Sequence, residues 1–187
     1  MLVFISLSAF GQKTPEGDFV LWYTQPATDW MTSALPIGNG RLGAMIFGEV
    51  GTERIQFNDK TLWTGSKTER GSYQNFGNVY INFEGHDNYT NYTRDLNISD
   101  AIAHVTYTAN GVNYTREYFS SLPDDAIVMH FDANKKGKIS FTINLEDAHV
   151  GEVQVEGNSI SISGELTLLS YKAVLTVVND GGTISTS

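Results

Sequence analysis

The amino-acid sequence predicts an all-β protein: a large antiparallel β-sandwich, incomplete at its C-terminus. Three observations carry this. Apolar and polar residues alternate with period two along most of the chain from about residue 79 onward, the pattern of half-buried strands. Asn-Gly, Gly-Asn and Gly-Gly pairs punctuate the alternating runs, as reversals between antiparallel strands require. No stretch repeats apolar residues at a 3.6-residue spacing between helix caps. Composition agrees: 187 residues, 41% hydrophobic and 18% charged, describe one globular domain with a real core.

The elements follow in chain order. Leu2–Phe10 is an apolar run of nine ahead of Gly11-Gln12-Lys13. It is too short to span a bilayer and fits the core of a secretory signal over residues 1–11, cleaved before Gln12 with Ala9 and Gly11 as the small residues. No Lys or Arg precedes the run, which leaves a late start or a buried first strand open. The β-domain then covers 12–187, with no internal repeat or linker. Gly38, Gly40 and Gly43 straddle Asn39 and Arg41, predicting a tight turn into an apolar strand over 42–47. Val79, Ile81 and Phe83 alternate. Asn110-Gly111 joins Ala103-Val105-Tyr107 to Val112-Tyr114 as the strongest hairpin signal. Pro123-Asp124-Asp125 marks a turn ahead of a strand over 126–131. Ile139, Phe141, Ile143 and Leu145 share one face of a strand. Val153 and Val155, then Ile160 and Ile162, flank Gly157-Asn158. Gly181-Gly182 turns the chain into Thr183–Ser187, read as a strand with an unpaired edge, as in a domain cut short.

Charge and composition exclude several functions. A net charge of −9, with 21 acidic and 12 basic side chains, does not suit a nucleic-acid partner, and no Lys/Arg cluster offers a membrane anchor. Cysteine is absent, which excludes lipidation at an N-terminal Cys, disulfides and thiolate metal sites. A disulfide-free exported chain points to a bacterial periplasm or cell exterior. The sequons at Asn88, Asn91, Asn97 and Asn113 are explained as well by chance in so Asn- and Thr-rich a chain. His86, His104, His130 and His149 show no His-x-His or His-Glu-x-x-His spacing, so neither metal nor cofactor is predicted. No Ser-His-Asp or Gly-x-Ser-x-Gly signature occurs.

Two segments are more specific. The first runs Trp30-Met31-Thr32-Ser33-Ala34-Leu35-Pro36-Ile37-Gly38-Asn39-Gly40-Arg41-Leu42-Gly43-Ala44-Met45-Ile46-Phe47-Gly48. The second runs Glu53-Arg54-Ile55-Gln56-Phe57-Asn58-Asp59-Lys60-Thr61-Leu62-Trp63-Thr64-Gly65. Together with Leu21-Trp22-Tyr23, Tyr73–Ile81, Tyr92–Asn97, Val105–Tyr107 and Tyr114–Phe119, they resemble the N-terminal domain of family 95 glycoside hydrolases of the α-L-fucosidase type. Asp59-Lys60 departs from the Glu-Asp of that pattern, and Asn78 from its Asp. The resemblance implies a supersandwich domain followed by an (α/α)6 barrel that holds the catalytic groups and cleaves α-L-fucosidic or α-L-galactosidic bonds with inversion. It therefore implies no catalytic residue in this chain. The implied partners are that barrel and, through the parent enzyme, a fucosylated glycan.

The first motif is read as structural, with Arg41 forking onto a carboxylate or backbone group, in preference to direct contact with a sugar. The second is the candidate for ligand contact. Asn58, Asp59 and Thr61 offer groups that pair with sugar hydroxyls, and Trp63 offers a flat apolar face. Tyr73 and Gln74 join them if the loop from Gly65 to Gly71 folds back. The competing reading puts Trp63 in the inter-sheet core and Asn58 at a turn. None of Glu49, Glu53, Asp59, Glu84, Asp87, Asp95 or Glu117 is expected in a setting that would raise its pKa. Three functions stay open: a scaffold domain lending a loop to the sugar pocket, a self-sufficient carbohydrate-binding module, and a purely structural sandwich in which Trp30 and Trp63 are buried.

Overall fold

A computed structural model describes residues 19–186; the proposed secretory run 2–10 lies outside them. Among the described residues every regular element is a strand, and every pairing is antiparallel. Among the described residues no helix is long and apolar enough to cross a membrane.

The first sheet has the order β1-β8-β9-β10-β11. Its strands are β1 (Val20–Tyr23), β8 (Tyr89–Asn97), β9 (Ile102–Ala109), β10 (Val112–Ser121) and β11 (Ala126–Ala133). Asn110 and Gly111 both take positive φ, 51° and 69°, and set the β9–β10 hairpin in register, Val112 opposite Ala109. Asp125 also sits at positive φ, 50°, turning β10 into β11 after Pro123. The second sheet has the order β12-β7-β4-β3-β2. It is built from β2 (Leu35–Gly38), β3 (Leu42–Ile46), β4 (Thr52–Asp59), β7 (Gly77–Asn82) and β12 (Thr142–Asp147). Pro36 lies on β2, the edge strand, where a missing N–H breaks no ladder.

β2 and β3 lie against β9, β10 and β11, so the two sheets close face to face. Ile37, Ile46, Ile55 and Ile81 from one sheet meet Val105, Tyr107 and Tyr118 from the other in a single buried cluster. Each fully buried aliphatic side chain there contributes about 1.5–3 kcal/mol. β13 (Glu152–Glu156), β14 (Ser159–Leu166) and β15 (Leu169–Thr176) form a third sheet, joined to the core through Ile162 and Tyr171. β5 (Trp63–Thr64) and β6 (Ser72–Tyr73) form a short hairpin.

Three expectations change in detail. The strand expected over 139–145 starts only at Thr142, opposite Asn82, the last residue of β7. Ile139 and Ser140 have no neighbour to pair with, while Phe141 packs on Phe83 and Phe131. Val153 and Val155 share a face with Ile162 and Ile160 yet are 51% and 52% exposed. They sit on an edge strand with nothing over them among the described residues. Residues 183–186 form no strand after Gly181-Gly182, because no neighbouring strand among the described residues supplies a ladder.

Candidate functional site

The two motifs meet at one corner of the sandwich. In the β2–β3 turn, Asn39 Oδ1 accepts from the amides of Arg41 and Leu42 at 2.9 and 2.8 Å. Its Nδ2 donates to Ser121 O at 2.8 Å, tying the second sheet to the first. Gly40 holds φ at 88°, which a Cβ would resist. Arg41 then reaches sideways. Its Nε donates to Asp59 Oδ2 at 2.9 Å, and its Nη1 pairs with Asp125. The guanidinium thereby bridges β4 and the β10–β11 turn. The charge of Asp59 comes first among the causes that hold Arg41 above its ordinary value.

Asn58 and Asp59 are consumed by the corner itself. Asn58 Nδ2 donates to Gln74 O at 2.9 Å, and its Oδ1 accepts the Asp59 amide at 2.9 Å. Asp59 Oδ1 accepts from both N and Oγ1 of Thr61, at 2.8 and 2.7 Å. Burial pushes the Asp59 carboxyl up, but the Thr61 donors and Arg41 outweigh it and hold the group below its ordinary value. This ends β4 and throws the chain outward as β5.

The loop after β5 folds back, the condition on which Tyr73 and Gln74 join the corner. Ser66 Oγ accepts the amides of Thr68 and Glu69. Gly71 takes φ 69° against the Thr64 carbonyl, where a Cβ would overlap backbone. Trp63 therefore pairs with Tyr73, their rings edge-to-face with centroids 4.7 Å apart. Gln74 anchors the hairpin through Nε2 to Thr64 Oγ1 at 2.9 Å and Ser72 Oγ at 3.0 Å.

Trp63 is 40% and Tyr73 63% exposed, so Trp63 is not in the inter-sheet core. Trp30 is 49% exposed as well, which removes the condition on which the purely structural reading depended. Of the six candidate contact residues, Trp63, Tyr73 and Thr61 face outward. Asn58, Asp59 and Gln74 hold them in place.

One expectation about carboxylates is corrected. Glu53 is fully buried, and burial pushes its carboxyl up against the opposing pull of Arg116. Burial likewise raises Glu49. Glu53 Oε2 accepts from Arg116 Nη1 at 3.2 Å and Tyr118 OH at 2.9 Å, and Oε1 accepts the Gly48 amide at 2.8 Å. Sealed this way, Glu53 reaches no solvent and no glycosidic oxygen. The signal was present in the alternation: Glu53 shares parity with Ile55, Arg94 with Tyr92 and Leu96, and Arg116 with Tyr114 and Tyr118. All three polar residues point inward. Among the described residues no three His, Asp or Glu side chains gather in a way that could hold a metal ion.

Comparison with known proteins places this geometry in context. Residues 21–72 and 66–187 match the family described as "Glycosyl hydrolase family 65, N-terminal domain". The chain is 30% identical to "Alpha-L-fucosidase 2" of Arabidopsis thaliana over a match covering 77% of this chain and 22% of that protein. It is 26% identical to "Probable alpha-fucosidase A" of Aspergillus niger, covering 89% and 27% respectively. A protein of the same name in Aspergillus oryzae is 28% identical over 55% of this chain and 20% of its own length. The chain thus spans between a fifth and about a quarter of these relatives.

Proposed function

The chain belongs to the glycosyl hydrolase family 65 N-terminal domain family, and from that premise we propose that it is the non-catalytic N-terminal domain of an exported α-L-fucosidase-like glycoside hydrolase. The observation that carries this reading is the corner at Trp63. An aromatic pair is held outward by a hydrogen-bonded frame, on a domain that matches fucosidases along most of its own length and little of theirs. In this reading the sandwich packs against a helical (α/α)6 barrel that holds the catalytic groups and works with inversion. The Trp63–Tyr73 hairpin reaches the rim of the sugar pocket, where the rings take the C–H faces of a fucosylated glycan. Glu53, the most deeply buried carboxyl among the described residues, is spent inside the core. Export through the segment 2–10, to a bacterial periplasm or the cell exterior, belongs to the same proposal.

The test is an assay of the purified 187-residue chain on an aryl α-L-fucoside. No turnover above a heat-denatured control is expected. Hydrolysis that copurifies with the chain through two chromatographic steps would overturn the non-catalytic reading. The exposed aromatic pair also supports a second reading, a self-sufficient carbohydrate-binding module. A fucoside-dependent change in Trp fluorescence, lost in Trp63→Ala, would favour it.

A further inference from the structure

We propose that a cleft at the other end of β4 is a second saccharide-binding site, independent of the Trp63 corner. It lies between the β1–β2 connection, the β3–β4 turn and the start of β8, with a volume of about 540 Å³, within the range of small-ligand sites. Its polar lining is Gln25, Thr28, Glu49, Thr52, Asp87 and Tyr89. β4 has eight residues from Thr52 to Asp59, so the cleft is roughly 23 Å from the corner at a strand rise of ~3.3 Å.

The floor of this cleft is fixed from behind by side chains of the opposite sheet. Arg94 Nε donates to Gln25 O at 2.8 Å. Arg116 donates through Nη1 to Glu49 O and through Nη2 to Val50 O, both at 2.7 Å. Tyr92 OH donates to Gly48 O at 2.7 Å. Two more backbone bonds, Ala27 N to Phe47 O and Phe83 N to Gly51 O, lock the remaining walls. Both arginines are almost wholly buried, and each leaves one nitrogen, Arg94 Nη1 and Arg116 Nε, without a partner. Well-packed apolar residues stabilise a core at least as well as buried charge does. What the guanidiniums add is a row of fixed carbonyls behind one surface, the preorganised support a binding site needs.

The chemistry of the lining selects the ligand. Glu49 and Asp87 bring two carboxylates to the lining; the charge of Arg54 acts on Glu49 from outside it, and no Lys or Arg lines the cleft itself. Gly51 leaves room for the Asp87 carboxylate, which a Cβ there would meet. Two carboxylates with no cationic side chain in the lining disfavour an anion and accept the paired O–H donors of a vicinal diol. The hydroxyls of Thr28, Thr52 and Tyr89 and the Gln25 amide supply mixed donors and acceptors, and the exposed Tyr89 ring offers one apolar face. A cation cage would need several such faces. A neutral sugar fits this set.

The test uses the ¹⁵N-labelled 187-residue chain, titrated separately with methyl α-L-fucoside, methyl β-D-galactoside and methyl α-D-glucoside to about 50 mM, enough to see millimolar binding. At least one sugar is expected to shift the amides of Gln25, Val50, Gly51 and Tyr89. The shifts should persist in the Trp63→Ala/Tyr73→Ala double variant. They should weaken roughly tenfold or more in Glu49→Gln and in Asp87→Asn; the second changes an exposed loop residue and leaves the core untouched. Silence at those four amides with all three sugars overturns the proposal, as does binding undiminished in both carboxamide variants. Shifts confined to Trp63 and Tyr73 reject the cleft while supporting the corner, so the two readings fail separately.

Discussion

Arg116 shows how one side chain serves both stability and shape. It stacks on Phe83, with its Cζ 3.8 Å from the ring centroid, pairs with Glu53 and holds two carbonyls. Removing it strands a buried carboxylate, so Arg116→Met should lower unfolding free energy by about 3–5 kcal/mol, read from urea denaturation. A loss well under 1 kcal/mol would mean that Glu53 is already neutral or finds water. Asp59 makes a prediction with a pH sign. Its folded pKa lies below the unfolded value of about 3.9, so its contribution is present above that value and lost as pH falls through the folded one. Melting temperatures of the wild type and Asp59→Asn should therefore differ at pH 7 and converge towards pH 3. A constant gap would assign the effect to shape alone.

Strands meet in ways that single residues do not show. On the outer face of the first sheet, Asp95, His104, Glu117 and His130 stand in register across four strands. His104 Nδ1 lies 3.0 Å from Asp95 Oδ2, and His130 Nδ1 lies 3.1 Å from Glu117 Oε2. The Asp95 hydrogen bond, followed by the charges of Asp95, Glu117 and Asp100, raises His104. A raised histidine stabilises the fold below its unfolded pKa of about 6.5, and that contribution fades as pH rises through the folded value. The melting temperature of wild type relative to His104→Gln should thus be higher at pH 5.5 than at pH 8.5; the reverse order would refute the assignment. Close strand packing makes a second prediction. A Cβ on Gly77 would overlap the Glu146 carbonyl across the β7–β12 pair, whereas Gly137 has open space around it. Gly77→Ala should cost about 1–3 kcal/mol or more through overpacking. Gly137→Ala should cost only its positive-φ strain, roughly 1 kcal/mol. Equal losses on denaturation would show that backbone strain, not contact, decides both.

Across the whole molecule, order should not be uniform. Most buried residues belong to the two five-stranded sheets, while β13 has no buried residue. Hydrogen exchange should therefore be slowest in β9, β10, β4 and β7 and faster in β13 and β15. Protection of β13 equal to that of β9 would show that its apolar face is covered in solution. Val153, Val155, Trp30 and Trp63 are all exposed apolar side chains, contact points that a neighbouring domain could cover. That distribution suits the proposed role as one part of a larger glycosidase.

Period-two alternation and the Asn110-Gly111 turn determined the all-β class, the hairpins and most of the core, because both are local: side-chain parity and positive φ are properties of neighbouring residues. The tight turn at Gly38–Gly43 was legible for the same reason, from glycines flanking polar residues, whereas the return of the Gly65–Gly71 loop stayed a condition. The same parity holds for Glu53, Arg94 and Arg116, but from sequence Glu53 was expected in no apolar setting, because carboxylates are ordinarily left to solvent. Only the tertiary structure decided that these charges are buried together, that Asp59 meets Arg41 and Asp125, and that a cleft forms where three connections converge. Those outcomes depend on which strands lie opposite one another across two sheets. Such pairings join residues up to 84 positions apart, and no local pattern encodes them.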